Sequence, residues 1–567
     1  MPAGAYIEEL RGVWPVADRR QMFWAMLSAG GIPVFNRLSL FAALILTQIL
    51  YAQQPCEKLA GLKQTSMEVT SAVLLPAGPV SSGTGNPPIN TPARCVVTAI
   101  ARPVADSEIK MEIWLPAANW NGKYMQAGNG GWAGSIPARL LADAVARGYA
   151  TAGTNGGHDA AGANGPAGWA IGHPEKLIDF GYRALHETDL AAKVLIRAFY
   201  GKESSRSYFF GCSDGGREAL MEAQRYPEDF DGIIAGAPAN NWSNHFTGFV
   251  WNEQALLNDP ASLIPPQKLP AIQKAVLAAC DAIDGVRDGL IEDPRACRFD
   301  PAVLTCKGDD GGECLTVPQV SALKKIYEGP KNPRTGKQIY PGYPPGHEAI
   351  AGAWQPWIIA APQDKSIQIM FGNSFYGQAV FENPQWDFRT LNFDTDVALA
   401  AEKAGSVLNS NNPDLRSFRA HGGRLIQYHG WADGAISPFG SIDYYEQVRS
   451  FFDKYPDARS RGGAVSDFYR LFMVPGMGHC GGGIGPNSFG NDRNRFGGDP
   501  ERDVITALER WVEKGIAPER LIGTGGVSGD PATTMTRPLC PYPQIARYNG
   551  SGDSNQATSF TCAEPRQ

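Results

Sequence analysis

Tyr208-Phe209-Phe210-Gly211-Cys212-Ser213-Asp214-Gly215-Gly216-Arg217-Glu218-Ala219-Leu220 runs from a short apolar strand, through a tight glycine turn, into the start of a helix. Strand, turn and helix in that order make a loop of an α/β sheet. Within it, 211–215 satisfies G-x-S-x-G, where glycines let the backbone approach itself while the serine is held out above the sheet. The pattern alone is common, so its setting decides. Two later strands, 424–428 and 469–474, run into His429-Gly430-Trp431-Ala432-Asp433 and Pro475-Gly476-Met477-Gly478-His479. Each sets a polar residue just past the C-terminal edge of a strand, where open α/β sheets keep their sites.

Working outward, 109–115 alternates with a period of two and reads as a strand, followed by a turn at Asn119-Trp120-Asn121-Gly122. A further strand at 123–127 leads into Gly128-Asn129-Gly130-Gly131-Trp132-Ala133-Gly134. The stretch 179–200 predicts an amphipathic helix with Leu185, Leu190, Val194 and Leu195 among its apolar positions. Between 239 and 417 the strand–helix alternation stops and prolines, tryptophans and four cysteines accumulate. This reads as an inserted lid. The expected division is a leader at 1–52, a core in two parts at 53–239 and 418–567, and a lid at 240–417. No solenoid repeat is visible.

Composition narrows the classes. The chain has 567 residues, 43% apolar and 19% charged, which excludes disorder as its main state. With 51 Lys+Arg against 57 Asp+Glu the net charge is −6, so there is no basic field for a nucleic-acid backbone. The apolar run 38–50 (LSLFAALILTQIL) is shorter than the roughly 20 residues a membrane span needs. It fits the core of a secretory signal with Ala52 at the cut and Met22 or Met26 as the start; an uncleaved anchor is the other reading. Either places the rest of the chain, with all ten cysteines, in an oxidising space. Secreted or periplasmic location is expected, without stable membrane insertion once the signal is removed.

The order Ser213, Asp433, His479 is that of an α/β-hydrolase. A serine hydroxyl needs an imidazole to take its proton and an acid to fix the imidazole's tautomer, and these three residues fill those roles. Asp214, following the serine, and Gly130 or Gly131 are the expected backbone donors of an oxyanion hole; an ordinary glycine turn is the alternative for the latter pair. Arg217 and Glu218 are expected to be structural, and His429 to pack or orient the loop. Eight histidines occur without H-E-x-x-H or C-x-x-C, so a zinc hydrolase is disfavoured. Cys212 precedes the serine and Cys480 follows His479. A disulfide between them would hold those backbones with Cα atoms about 5–6 Å apart; the alternative is that each pairs elsewhere or stays reduced.

The set Cys212-Ser213, Asp433 and His479-Cys480 resembles the CS-D-HC motif of the tannase and feruloyl esterase family, and the similarity extends over about 56–562, including Thr536-Arg537-Pro538-Leu539-Cys540-Pro541-Tyr542-Pro543. The resemblance implies an α/β-hydrolase core with a large inserted lid. It implies a serine carboxylesterase that cleaves esters of phenolic acids through an acyl-enzyme, without an organic cofactor. It also implies the disulfides Cys212–Cys480, Cys56–Cys95, Cys280–Cys297, Cys306–Cys314 and Cys540–Cys562.

The acidic stretch 280–294 offers Asp281, Asp284 and Asp288 at spacings suited to a hard cation such as calcium, or simply to solvated turns. It lacks the EF-hand spacing. The resemblance favours structural Ca2+, adding the carbonyls of Val286 and Leu290. Lid aromatics at Trp354, Trp357, Phe371, Phe375, Tyr376, Phe381, Trp386 and Phe388 read either as walls for a planar acyl group or as the lid's own core. The family includes a hydrolase of mono-(2-hydroxyethyl) terephthalate, in which a lid arginine meets the free carboxylate. The matching stretch 370–377 (MFGNSFYG) has no arginine, which favours a neutral feruloyl or galloyl ester over that monoester. An inactive hydrolase-fold binding protein is the alternative of a different class. The expected partner is a small aromatic ester, with no nucleic acid.

Overall fold

A computed structural model describes residues 53–565 apart from 65, 82–86, 161–164, 456–463, 492–497 and 526–533. The expected leader at 1–52 lies outside the described residues. The centre is a nine-stranded mixed sheet. Its strands are β1 (Met67–Leu75), β2 (Arg94–Ala101), β3 (Ile109–Pro116), β4 (Lys123–Ala127), β5 (Ala150–Thr154), β6 (Arg206–Cys212), β7 (Gly232–Gly236), β8 (Arg424–Gly430) and β9 (Tyr469–Val474). Their spatial order is β1-β2-β3-β5-β4-β6-β7-β8-β9. β1, β2, β3 and β5 pair antiparallel, and the run from β5 through β4 to β9 is parallel.

Successive side chains of the parallel strands go to opposite faces, and both faces are covered. Phe209, Ile233, Ala235, Leu425 and Leu471 belong to one core, with α2 (Ala184–Tyr200), α3 (Asp214–Arg225) and α7 (Phe439–Lys454). Their neighbours Tyr208, Phe210, Ile234, Ile426 and Phe472 belong to the other, with α1 (Ala138–Ala146) and α8 (Val504–Lys514). This two-sided burial explains why the central strands read as continuous apolar runs. It is an α/β-hydrolase core.

The expected helix at 179–200 is α2 preceded by a π-helical turn at Asp179–Arg183 and a short helix at Pro174–Ile178. Asp179 is fully buried at the wide turn, bonded to Ser107 Oγ (2.5 Å) and Arg183 Nε (2.5 Å). Leu190 faces outward, 45% exposed, contrary to its expected place on the apolar face.

Between β7 and β8 lie α4 (Trp242–Leu257), α5 (Leu269–Cys280), α6 (Val317–Glu328), two further helical stretches at 367–380 and 395–408 that pass from α into π geometry, and several shorter helical turns, with no strand of the central sheet. Leu256, Ile272, Val276, Leu323, Ile326 and Trp354 share a core of their own. A second cluster joins Trp242, Phe246 and Phe375 from this segment to Trp132 and Phe180 from the sheet side.

The turn after β6 depends on missing side chains. A Cβ on Gly211 would lie 2.3 Å from the Gly215 carbonyl oxygen, and one on Gly216 would lie 2.2 Å from that of Gly236. Gly216 sits inside α3, where alanine ordinarily gains about 1 kcal/mol over glycine. Here Gly216→Ala should instead lower the melting temperature; an unchanged or raised value in thermal denaturation would contradict this packing.

Candidate active site

Ser213 stands between β6 and α3 with φ 67°, a left-handed conformation that a serine adopts only when its surroundings enforce it. The turn is held by Ser213 N–H donating to Gly236 O (3.0 Å). Ser213 Oγ lies 2.9 Å from His479 Nε2, and His479 Nδ1 lies 2.8 Å from Asp433 Oδ2. Three residues far apart in sequence thus form one continuous hydrogen-bonded chain. With Nδ1–H donated to the acid, Nε2 is free to accept the serine proton.

Asp433 is buried, and its other oxygen accepts the N–H groups of Ala435 (2.8 Å) and Ile436 (2.9 Å). His429, at the end of β8, donates from Nε2 to the same Oδ2 (3.1 Å), while its Nδ1 accepts from Ser441 Oγ (2.7 Å). Burial opposes ionisation of Asp433, but His479 and His429 outweigh it and hold the carboxyl well below the usual carboxylate range. His429, expected to pack or to orient the loop, also bonds directly to the carboxylate of Asp433 and so can position it.

Arg217 and Glu218 have identifiable structural partners. Buried Arg217 donates from Nε to Asp214 Oδ1 (2.6 Å) and from its terminal nitrogens to the carbonyls of Gly181 and Phe180. Glu218 accepts the N–H of Asn129 (2.7 Å), and Gly215 N–H donates to Asn129 O (2.9 Å). The glycine loop after β4 is thereby fixed to the helix that carries the serine. Burial pushes the Glu218 carboxyl up to about 8, assisted by nearby Asp214. Asp214 opens α3, where the first N–H groups have no intrahelical acceptor. Gly131 lines the same pocket as Ser213 and Asp214; Gly130 is not among its walls.

That pocket has a volume of about 310 Å³ including its open mouth, and is walled by Trp242, Phe246, Phe249, Trp357, Phe371 and Ile436 beside Ser213 and His479. Of the eight lid aromatics noted in the sequence, Trp357 and Phe371 line it. Trp354, Phe375, Tyr376 and Phe388 are buried in cores, and Phe381 and Trp386 pack on Tyr376. The other aromatic walls come from α4, where Trp242, Phe246 and Phe249 recur at helical spacing. The same helix adds His245, which sequence reasoning passed over because one histidine in an apolar helix face carries no motif.

All ten cysteines are paired, in the five combinations the resemblance implies. Cys212–Cys480 joins residues 268 apart in sequence with a Cα separation of 5.9 Å, flanking Ser213 and His479.

The comparisons with known proteins agree with this arrangement. The family model described as tannase and feruloyl esterase matches residues 95–563. The chain belongs to this family. It is 43% identical to an esterase of Xanthomonas campestris, covering 95% of this chain and 96% of that one. It is 35% identical to the mono(2-hydroxyethyl) terephthalate hydrolase of Piscinibacter sakaiensis, covering 81% and 82% respectively. The crystal structure of feruloyl esterase B from Aspergillus oryzae superposes with a TM-score of 0.80 at 30% identity, over 90% of this chain and 99% of that one. The protein is a carboxylic ester hydrolase.

In this esterase the acidic loop is closed by Cys280–Cys297. Asp281 Oδ1 accepts the N–H groups of Asp288 (3.3 Å) and Gly289 (3.1 Å), and Asp284 Oδ1 accepts that of Val286 (3.1 Å). Asp288 Oδ1 accepts Leu290 N–H (3.1 Å), and its Oδ2 accepts from buried Arg537 (2.5 Å). The other oxygen of Asp284 is buried without a partner, and burial pushes that carboxyl up to about 6. The unpaired oxygen of Asp284 is the feature a hard cation would answer, although the carboxylates of Asp281, Asp284 and Asp288 do not converge within 4.8 Å of one another. Among the described residues, the one group of three ligand-type side chains with atoms within 4.8 Å of one another is Cys306, Asp310 and Cys314. Its sulfurs are spent on their mutual disulfide.

Two outcomes follow for the esterase. Replacing Cys212 and Cys480 together by alanine should lower kcat at least tenfold, because a displacement of about 1 Å between reacting groups can cost a hundredfold; wild-type turnover would show the bridge to be dispensable for alignment. His429→Leu should lower kcat about tenfold or more with little change in KM, and His429→Gln should recover part of the loss. A loss confined to KM would contradict a positioning role.

Proposed function

We propose that this esterase is exported and cleaves esters of aromatic acids through an acyl-enzyme. The observation that carries this reading is the unbroken chain from Ser213 Oγ through His479 to Asp433, opening into an aromatic-walled pocket. Ser213 attacks the ester carbonyl while His479 Nε2 takes its proton. The N–H groups of Asp214 and Gly131 bind the oxyanion, Gly131 being supported over Gly130 by its place in the pocket wall. His479 then protonates the departing alkoxide, and water repeats the sequence on the acyl-serine. An inert binding protein would have no use for the complete triad.

A neutral acyl group is favoured. Among the described residues no lysine or arginine lines the pocket, so they offer a substrate's free carboxylate no counter-charge there. This weighs against the terephthalate monoester, despite the relative named for it. Residues 240–417 form the proposed lid between core segments 53–239 and 418–567. Structural calcium would be held by Asp281, Asp284 and Asp288 with the carbonyls of Val286 and Leu290, stiffening the lid without entering the reaction. Five disulfides support export to an oxidising compartment. Among the described residues no helix is long and apolar enough to cross a membrane.

Ser213→Ala should abolish hydrolysis of methyl ferulate and labelling by a fluorophosphonate without changing the melting temperature by more than a few degrees; retained turnover would overturn the assignment. Chelation by EDTA should lower the melting temperature, with recovery on adding Ca2+. Identical melting curves would remove calcium from the account.

A further inference from the structure

We infer that His245 is a specificity-determining residue that exchanges a hydrogen bond with a ring hydroxyl of the substrate's acyl group. The inference rests on the aromatic-ester reading above and deepens it.

α4 turns Trp242, His245, Phe246 and Phe249 to one side at spacings of three, four and seven residues, and all four line the pocket beside Ser213. Three of them supply aromatic surface. His245 is 3% exposed, and its Nδ1 is buried without a hydrogen-bond partner. The imidazole packs against the rings of Phe246 (5.1 Å between centroids), Phe249 (4.4 Å) and Tyr340 (5.6 Å). Other buried histidines are used by the protein: His158 is bonded to Trp132 O, and His429 to Asp433 and Ser441. His347 also lacks partners, but it lines no part of this pocket. Three residues before His245, the indole N–H of Trp242 is likewise buried and unpartnered. Two unsatisfied polar atoms of α4 thus belong to the aromatic side of the pocket wall.

His245 is not a further member of the triad. The oxygens of Asp433 are already taken by His479, His429 and two backbone N–H groups. Burial lowers the imidazole to about 3, so it is neutral and offers no charge to a carboxylate. A neutral ring with one donor and one acceptor nitrogen matches a hydroxyl, which also donates and accepts. The flat aromatic walls match the ring bearing that hydroxyl. A site built around a buried polar group discriminates most strongly against an analogue that leaves the group unpaired.

The test compares kcat/KM for methyl 4-hydroxycinnamate and methyl cinnamate in the wild type, His245→Phe and His245→Asn. The wild type should prefer the hydroxylated ester, and His245→Phe should lower the ratio about 10- to 100-fold, the range expected when a buried hydrogen bond is lost. His245→Asn, which keeps a polar group, should retain part of the preference. An equal ratio in wild type and His245→Phe would overturn the assignment while leaving the aromatic-ester reading intact. If the phenylalanine variant does not take up a fluorophosphonate, the asparagine ratio decides, and a wild-type value there would overturn it. Cleavage of 4-nitrophenyl acetate with no turnover of either cinnamate would overturn both the substrate reading and this assignment.

Discussion

The Cys212–Cys480 bond is the constraint on which the site depends. It ties the residue before the serine to the residue after the histidine, closing a loop of 268 residues that includes the whole segment between β7 and β8. Loop-entropy arguments put the effect of so long a closure at about 5 kcal/mol, as an upper figure. Its consequence for chemistry is geometric. Ser213 and Cys480 both sit at positive φ, 67° and 63°, so the two backbones meet in conformations that the adjoining strands alone would not enforce. The proposed export and the alignment of the site would thereby be linked, because such a bond persists in an oxidising space.

Around this staple the polar groups are arranged in pairs that leave little freedom. Asp433 is held by two histidines and two backbone amides, so the acid is fixed before substrate arrives. Glu218 and Gly215 hold Asn129 from both sides of its peptide, which sets the glycine loop against the serine helix. Such preorganisation is what oxyanion stabilisation requires, since donors already in place need no rearrangement as charge develops.

Much of this was legible in the sequence. G-x-S-x-G at a strand-to-helix turn, followed by polar residues at two later strand ends, marks the three side chains that the structure joins by hydrogen bonds, because strand polarity fixes which ends lie together. What sequence missed follows from its range. The π-turn before α2 depends on Asp179 finding Ser107, 72 residues away. The exposure of Leu190 depends on what that helix packs against. Aromatic pocket walls were sought among residues 354–388, whereas α4 supplies Trp242, Phe246 and Phe249, because composition cannot tell a ring that lines a cavity from one that fills a core. His245 belongs to the same category: its lack of a partner is a property of its neighbours.

Intact and peptide mass spectrometry of the wild-type enzyme, acid-quenched during turnover of methyl ferulate, tests the central claim most directly. The account predicts a feruloyl adduct on the peptide containing Ser213, formed within the first turnover and lost once substrate is exhausted. Steady turnover with no adduct on that peptide at any quench time, or an adduct confined to another residue, would contradict it.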